Sequence, residues 1–133
     1  MGSVSRVLVD SDVLIDHLRG HRRFAVGRDT VHISTVTRAE LFAGRGSEET
    51  KVRRLLDAFV ELPVDRAVAE RAGRMRRTLH IGMADALIAA TAAQHRLTLV
   101  TRNTCDFAVV KGLRVREPAQ SRQGDQIGTL DAE

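Results

Sequence analysis

The chain has 133 residues, of which 43% are hydrophobic and 29% are charged, a profile typical of a globular protein rather than a disordered one. Its single cysteine, Cys105, excludes a disulfide framework and a thiolate metal site, and it suits a reducing cytoplasm. No apolar run is long enough to span a membrane, so we expect a cytoplasmic protein without a membrane partner.

The chain opens on a strand, a helix and a second strand. Residues 7–9 (Val-Leu-Val) predict a buried strand that ends at Asp10. Asp12 is the predicted cap of a helix over residues 13–18, because an Asp side chain can accept from the free N–H groups of a first turn. Residues 31–34 predict the second strand.

Two further helices and a weak strand follow. Thr35 or Thr37 is expected to open the first of these helices, and Ser47 is expected to cap the second. Residues 60–64 predict a short strand, which Pro63 restricts to a sheet edge because proline cannot donate to the ladder.

The second half of the chain repeats the alternation. Asp65 is the predicted cap of a long helix, and an apolar helix over residues 81–94 leads into a buried strand over residues 98–100. A loop then leads to a last strand near residues 113–115, and Pro118 ends the fold.

Strands that are uninterrupted apolar runs and alternate with helices predict an α/β fold with a central parallel sheet. We expect residues 1–118 to form a single domain. Residues 119–133 are polar and contain glycine, so we expect a flexible C-terminal tail.

One charge interrupts the apolar stretch from Ile81 to Gln94. That charge is Asp85, and a helix so apolar should be buried on most of its faces. A buried carboxylate is unfavourable unless a partner, hydrogen bonds or a metal ion compensates it. Its simpler role would be to complement the helix dipole in the first turn, a small benefit for such a setting.

Further oxygen-bearing side chains should meet Asp85 at one rim, since ligands of open α/β sheets bind beyond the carboxyl ends of the strands. Such oxygen ligands select Mg²⁺ or Mn²⁺, and a bound ion would remove their mutual repulsion and activate a water. The candidates are Asp10 after the first strand, Glu40 in the helix after the second, and Asn103 and Asp106 after the fourth.

Several of these candidates also have simpler roles. Thr37 and Glu40 fit the Ser/Thr-x-x-Glu capping box, in which Glu reaches back to a backbone N–H. Asn103 and Asp106 could form a turn. Thr101 could hydrogen-bond an oxygen ligand or end the strand.

The triplet Asp10-Ser11-Asp12 has a rival interpretation. It resembles the Asp-x-Asp motif of haloacid-dehalogenase-type phosphatases, in which the first Asp attacks phosphorus and the second handles the proton. That fold needs a later acidic pair, and Asp125 and Asp131 are badly spaced for that role.

The charge balance suggests a polyanionic partner. The chain carries 21 basic and 17 acidic residues, and every basic residue except Lys51 and Lys111 is Arg, whose guanidinium suits phosphate. The alternative is that arginine usage reflects a GC-rich genome and solvated helix faces. A basic body around an acidic pocket would hold a phosphodiester, so the residues indicate a metal-dependent phosphodiesterase, most simply a nuclease.

Four segments in this order and spacing resemble a PIN domain of the VapC toxin type, over about residue 6 to Pro118. They are VLVDSDVLID (7–16), TRAELFAG (37–44), ADALIAATA (84–92) and LVTRNTCDF (99–107). The resemblance implies a three-layer α/β/α sandwich with a mainly parallel sheet, and an Mg²⁺- or Mn²⁺-dependent endoribonuclease. It also implies a homodimeric toxin of a type II toxin–antitoxin pair, which cleaves structured RNA and is neutralised by a VapB-like antitoxin.

By position, Asp10, Glu40 and Asp85 match the metal-binding acids of that family. The fourth acid falls where Asn103 stands, so either Asn103 coordinates the ion or Asp106 takes the role. We expect Asp106 to be the acid. The expected supporting residues are Asn103, Thr101 and Ser11. Because Asn103 stands at the place of the fourth acid, a second class of function stays open, namely a PIN-like domain that binds RNA or a partner without turnover.

Overall fold

The computed structural model describes residues 5–46 and 48–119, and a five-stranded sheet lies at its centre. The strands are β1 (Arg6–Val9), β2 (Thr30–Ser34), β3 (Val60–Leu62), β4 (Thr98–Val100) and β5 (Val115–Arg116). Their order in the sheet is β3-β2-β1-β4-β5, and all four pairings are parallel. The predicted parallel sheet is therefore confirmed, with β1 at its centre.

Six helices connect the strands in the described residues. They are α1 (Ser11–Leu18), α2 (Thr35–Ala43), α3 (Glu49–Leu56), α4 (Arg66–Thr78), α5 (Met83–Gln94) and α6 (Thr104–Phe107). None of these helices is long and apolar enough to cross a membrane.

The sheet separates two hydrophobic cores, because successive strand residues point to opposite faces. Val7 and Val9 pack with buried side chains of α1, α2 and α3, whereas Leu8 packs with those of α4 and α5. On β4, Leu99 and Val100 divide in the same way. Helices cover both faces, which explains the uninterrupted apolar strands and confirms the three-layer α/β/α sandwich.

The helix α5 packs through small side chains. Six of its 12 residues are buried, four of them alanines, so its backbone can approach the sheet closely. The Thr91 hydroxyl is buried and donates to the Leu87 carbonyl 2.7 Å away, which satisfies it within the helix. The expectation of a helix buried on most faces is confirmed, and half-buried Asp85 lies in its first turn.

One of the predicted helix caps is wrong. The cap of α1 is Asp10, not Asp12, because the helix begins directly after β1 and the Asp10 side chain accepts from the Ser11 N–H. The helix α2 begins at Thr35, one of the two predicted starts, and its cap is Ser34, whose hydroxyl oxygen accepts from the Val36 N–H at 3.0 Å. The cap of α1 therefore lies two positions earlier than the sequence predicted.

Other boundaries agree more closely with the sequence. Asp65 caps α4 as predicted, accepting from the Val68 N–H at 2.9 Å, and β3 lies at a sheet edge. Ser47, the predicted cap of α3, lies outside the described residues, and no side chain caps that helix at Glu48. The predicted tail lies outside them from residue 120 onward.

The region after β4 differs from the prediction. The predicted loop contains the short helix α6, whose Phe107 is buried, and the last strand is Val115–Arg116 rather than residues near 113–115. A four-residue helix gives no periodic signal in the sequence, so it could not be found from hydrophobic spacing.

Replacing Leu14 by Ala should lower the free energy of unfolding by about 2–5 kcal/mol, because its fully buried side chain holds α1 against the sheet. Urea unfolding followed by circular dichroism measures the change. Val60→Ala is the matched control, since Val60 is 50% exposed on the edge strand and should change stability far less. Equal losses in the two variants would contradict this assignment of the core.

Candidate functional site

Asp10 stands at the carboxyl end of the central strand with only 5% of its surface exposed. Its Oδ1 accepts from the Ser11 N–H at 2.8 Å, and its Oδ2 accepts from the Thr101 hydroxyl at 2.8 Å. Its own N–H donates to the Val100 carbonyl, so both its backbone and its carboxylate are fixed.

Ser11 connects Asp10 to Glu40. The Ser11 hydroxyl, itself buried, donates to Glu40 Oε1 at 2.8 Å, while its N–H donates to Asp10. The capping-box interpretation of Glu40 is therefore wrong, because α2 is capped by Ser34 and the carboxylate is directed to α1. Ser11 thus contacts two of the predicted acids.

Thr101 links the centre of the site to the segment after β4. Its hydroxyl is fully buried; it donates to Asp10 and accepts from the Asn103 N–H at 3.1 Å. A second carboxylate oxygen, Asp12 Oδ2, lies 3.4 Å from the same hydroxyl. Thr101 therefore orients Asp10 and shapes the following turn at once.

Asp12 lies beside Asp10 and Thr101 in this site, although the sequence predicts it as a helix cap. Its Oδ2 accepts from the Arg102 N–H at 3.1 Å, and within the described chain its buried Oδ1 has no hydrogen-bond partner. One turn further along α1, Asp16 Oδ2 lies 2.7 Å from the Arg102 Nε. The signal that could have identified Asp12 is its position two residues after Asp10, which already caps α1.

The carboxylates of the rim act on one another through their charges. Burial, and next the charge of Asp12, raises the pKa of Asp10 to about 6. Burial also raises the pKa of Asp12. The pKa of Asp85 is raised first by burial and then by the charges of Asp106, Glu40 and Asp12. The fold therefore brings these five acids into one electrostatic group, in which the guanidinium of Arg102 partly offsets the charge of Asp12.

Asn103 and Asp106 differ in their relation to this group. Asp106, in the first turn of α6, has the largest electrostatic effect on Asp85 of any charged group. In the described part of the chain, Asn103 takes part through its backbone, and its exposed side chain makes no hydrogen bond. The geometry thus associates Asp106, rather than the Asn103 amide, with the other acids.

The side chains of this site offer the type of ligand atom that a hard divalent cation prefers. All the groups are carboxylate oxygens, and each ionised carboxylate keeps lone pairs beyond its present hydrogen bonds. Asp12 Oδ1 is a buried oxygen with no partner. Among residues 5–46 and 48–119, however, no group of three or more His, Cys, Asp or Glu side chains is already arranged so that it could hold a metal ion.

A groove of about 180 Å³ borders Glu40 between α1, α2 and α3. Its apolar floor consists of Ile15, Leu18, Leu41 and Val52. Three cations also line it, namely Arg19, Arg45 and Lys51, and Lys51 forms an ion pair with Glu48 at 3.6 Å. Positive charge therefore lies directly beside the acidic rim.

Comparison with known proteins gives a consistent result. A PIN domain matches residues 7–113. Ribonuclease VapC10 of Mycobacterium tuberculosis is 41% identical over 123 residues, covering 81% of this chain and 90% of that protein. The tRNA(fMet)-specific endonuclease VapC of Shigella flexneri is 29% identical over 128 residues, covering 84% and 97%. A chain of a toxin–antitoxin complex from Klebsiella pneumoniae aligns with a TM-score of 0.67 at 31% identity, covering 86% and 99%.

Replacing Asp10 by Asn should stabilise the metal-free protein above about pH 6. The Asp10 carboxyl ionises near its ordinary value of 3.8 when unfolded and at about 6 when folded. Between these values the folded state binds more protons, so stability falls as the pH rises. The gain in the variant should be on the order of 2–3 kcal/mol at pH 8 and absent below pH 3.8.

Denaturant titrations of both proteins at pH 3.5 and pH 8 measure this difference. Asn remains a favourable helix cap, so the cap itself should be preserved. Asp65→Asn makes the same change at an exposed cap and separates the two effects. A loss of stability at pH 8 in Asp10→Asn alone would contradict the burial argument.

Proposed function

The chain belongs to the PIN-domain family, and we propose that it is an endoribonuclease that acts as the toxin of a toxin–antitoxin pair. The observation that carries this proposal is the carboxylate group at the carboxyl edge of the sheet. There a buried acid, Asp10, is oriented by Ser11 and Thr101 and connected through Ser11 to Glu40. The VapC relatives, named as ribonuclease and endonuclease, support it.

We assign the metal-binding role to Asp10, Glu40, Asp85 and Asp106, with Mg²⁺ as the ion and Mn²⁺ as a substitute. When bound, such an ion neutralises the repelling acids, activates a water and stabilises the charge of an in-line attack on phosphorus. Ser11 and Thr101 hold the carboxylates of Asp10 and Glu40 in place beforehand. Asn103 would support the site from its exposed edge.

RNA is the proposed substrate. The cations beside Glu40 are Arg19, Arg45 and Lys51, which could bind backbone phosphates as the chain approaches the acids. The protein has no Trp or Tyr, so contacts to phosphate rather than base stacking should dominate. The tRNA-specific relative supports a structured RNA.

A small VapB-like antitoxin is the proposed partner, and the toxin itself is proposed to be a homodimer. The similarity to a chain of the Klebsiella pneumoniae toxin–antitoxin complex supports the first of these assignments. An antitoxin encoded beside this protein should co-purify with it and suppress RNA cleavage.

A second candidate function is an RNA- or partner-binding domain without turnover. Two observations favour it: Asn103 stands where the family's fourth acid is expected, and the acids are not yet arranged to hold an ion in the described residues. The binding function predicts that RNA is retained equally with and without divalent ions and remains uncut.

Replacing Asp85 by Asn should lower metal-dependent RNA cleavage by more than about 100-fold. Losing a metal ligand should reduce activity more than losing a residue that only hydrogen-bonds a ligand, which typically reduces activity about 10–100-fold. The assay incubates structured RNA with purified protein in Mg²⁺, in Mn²⁺ and in chelator. Asp57→Asn, at an exposed position after α3, is the control and should retain activity. RNA binding without cleavage in every condition would favour the non-catalytic function instead.

Asp106→Asn and Asn103→Ala should separate the two candidates for the fourth position. If Asp106 is the ligand, its variant should need at least about ten times more Mg²⁺ for half-maximal cleavage, whereas Asn103→Ala should shift that concentration only a few-fold. The measurement is the cleavage rate across a Mg²⁺ titration. The reverse order of effects would assign the position to Asn103.

A further inference from the structure

We propose that Asp12 and Asp16 of α1 form a clamp on Arg102, and that this clamp positions the segment carrying Asp106. The effect of this clamp on metal binding rests on the proposed function, whereas its effect on the position of α6 does not.

The clamp holds Arg102 at two points. Asp12 Oδ2 accepts from the Arg102 backbone N–H at 3.1 Å, and Asp16 Oδ2 lies 2.7 Å from the guanidinium Nε, a contact that is an ion pair without hydrogen-bond geometry. Asp12 and Asp16 are four residues apart on α1 and therefore share one helix face. One rigid helix thus fixes both the main chain and the side chain of one loop residue.

The neighbouring residues extend this attachment. Thr101 donates to Asp10, and the Asn103 N–H donates back to the Thr101 hydroxyl at 3.1 Å. Three successive residues after β4 are therefore each held by a side chain: Thr101 by Asp10, Arg102 by Asp12, and Asn103 by Thr101 itself. A loop with this many anchors has one conformation rather than several.

This attachment matters because α6 is too short to hold itself. It has four residues, far fewer than an independently stable helix needs. Its last residue, Phe107, is buried against the core of α4 and α5, and its start follows Asn103 directly. Asp106 lies between these two anchors, so its distance from Asp85 depends on both.

Asp12 acts here as a positioning residue through its oxygen rather than through its charge. Burial disfavours its charge and raises its pKa, and that charge in turn raises the pKa of Asp10 and of Asp85, although the Arg102 guanidinium partly offsets the effect of burial. The bond to Arg102 needs only an acceptor, which an Asn carbonyl also supplies. A metal ligand or a proton carrier in the same place would instead need the carboxylate.

Amide hydrogen exchange of the metal-free protein tests the clamp directly. We expect Asp12→Ala to speed exchange at residues 101–107 at least about tenfold, with little change elsewhere, and Asp12→Asn to stay within about twofold of the parent. Glu61→Ala, which removes a comparable acid–Arg pair with Arg38 at the sheet edge opposite β5, should leave residues 101–107 unchanged. Unchanged exchange in Asp12→Ala overturns the proposal, as does equal exchange in the Asn and Ala variants.

Mn²⁺ titration by calorimetry gives the second readout. Asp12→Ala should weaken Mn²⁺ binding about 10-fold, a loss typical of residues that position metal ligands without binding the ion themselves. Asp12→Asn should bind Mn²⁺ nearly as tightly as the parent does. Asp16→Ala, at a partly exposed ion pair that the fold should tolerate, should weaken binding by a smaller factor. Parent-like affinity in Asp12→Ala overturns the metal half of the proposal.

The two failures can be told apart. If the parent protein neither binds Mn²⁺ nor cleaves RNA, the proposed function is wrong, and hydrogen exchange still decides whether the clamp exists. If Asp12→Ala does not fold, Asp16→Ala and Arg102→Ala carry the exchange test. Unchanged exchange at residues 101–107 in both of them overturns the clamp.

Discussion

Repulsion among carboxylates is the constraint on which the rest of this structure depends. Asp10, Asp12, Glu40, Asp85 and Asp106 act on one another through their charges, and each buried carboxyl in the group has a raised pKa. Left unsupported, such side chains would turn toward solvent. Asp10, Asp12, Glu40 and Asp85 stay together because each is attached to a rigid element and several are held by hydroxyl or backbone N–H donors, whereas Asp106 is placed by the anchors on either side of α6.

The parallel sheet supplies the rigidity. Its central strand ends at Asp10, and cores on both faces fix β1 so that Asp10 can remain almost fully buried. The first turn of α1 then directs Ser11 and Asp12 toward two different parts of the chain. Ser11 reaches Glu40 on α2, and Asp12 reaches the segment after β4. One turn of helix therefore joins three parts of the chain that are distant in sequence.

The same contacts discriminate between the chemical interpretations of the Asp10-Ser11-Asp12 triplet. In a phosphatase of the Asp-x-Asp type the second acid handles a proton, whereas here one Asp12 oxygen accepts from a backbone N–H and the other is buried. The nuclease interpretation requires no free acid at that position. It requires oxygen ligands around a cation next to positive surface, and the residues beside Glu40 provide that surface.

The sequence by itself determined the class of fold, and it predicted Asp10, Glu40 and Asp85 as acids of the site. Apolar strand runs and helical spacing are local properties, so the parallel sheet, the cap at Asp65 and the buried helix around Asp85 could all be read from them. The order of the strands placed Asp10, Glu40 and Asp85 at one rim. Only the tertiary structure decided the caps of α1 and α2, the helix α6, and the partners of Asp12 and Glu40. The partners of Asp12 and Glu40 lie up to 90 positions away in the chain, as Arg102 does from Asp12, and no local pattern encodes which donor a carboxylate will meet. The two caps depend on where β1 and β2 end, and a four-residue helix has no periodic signal.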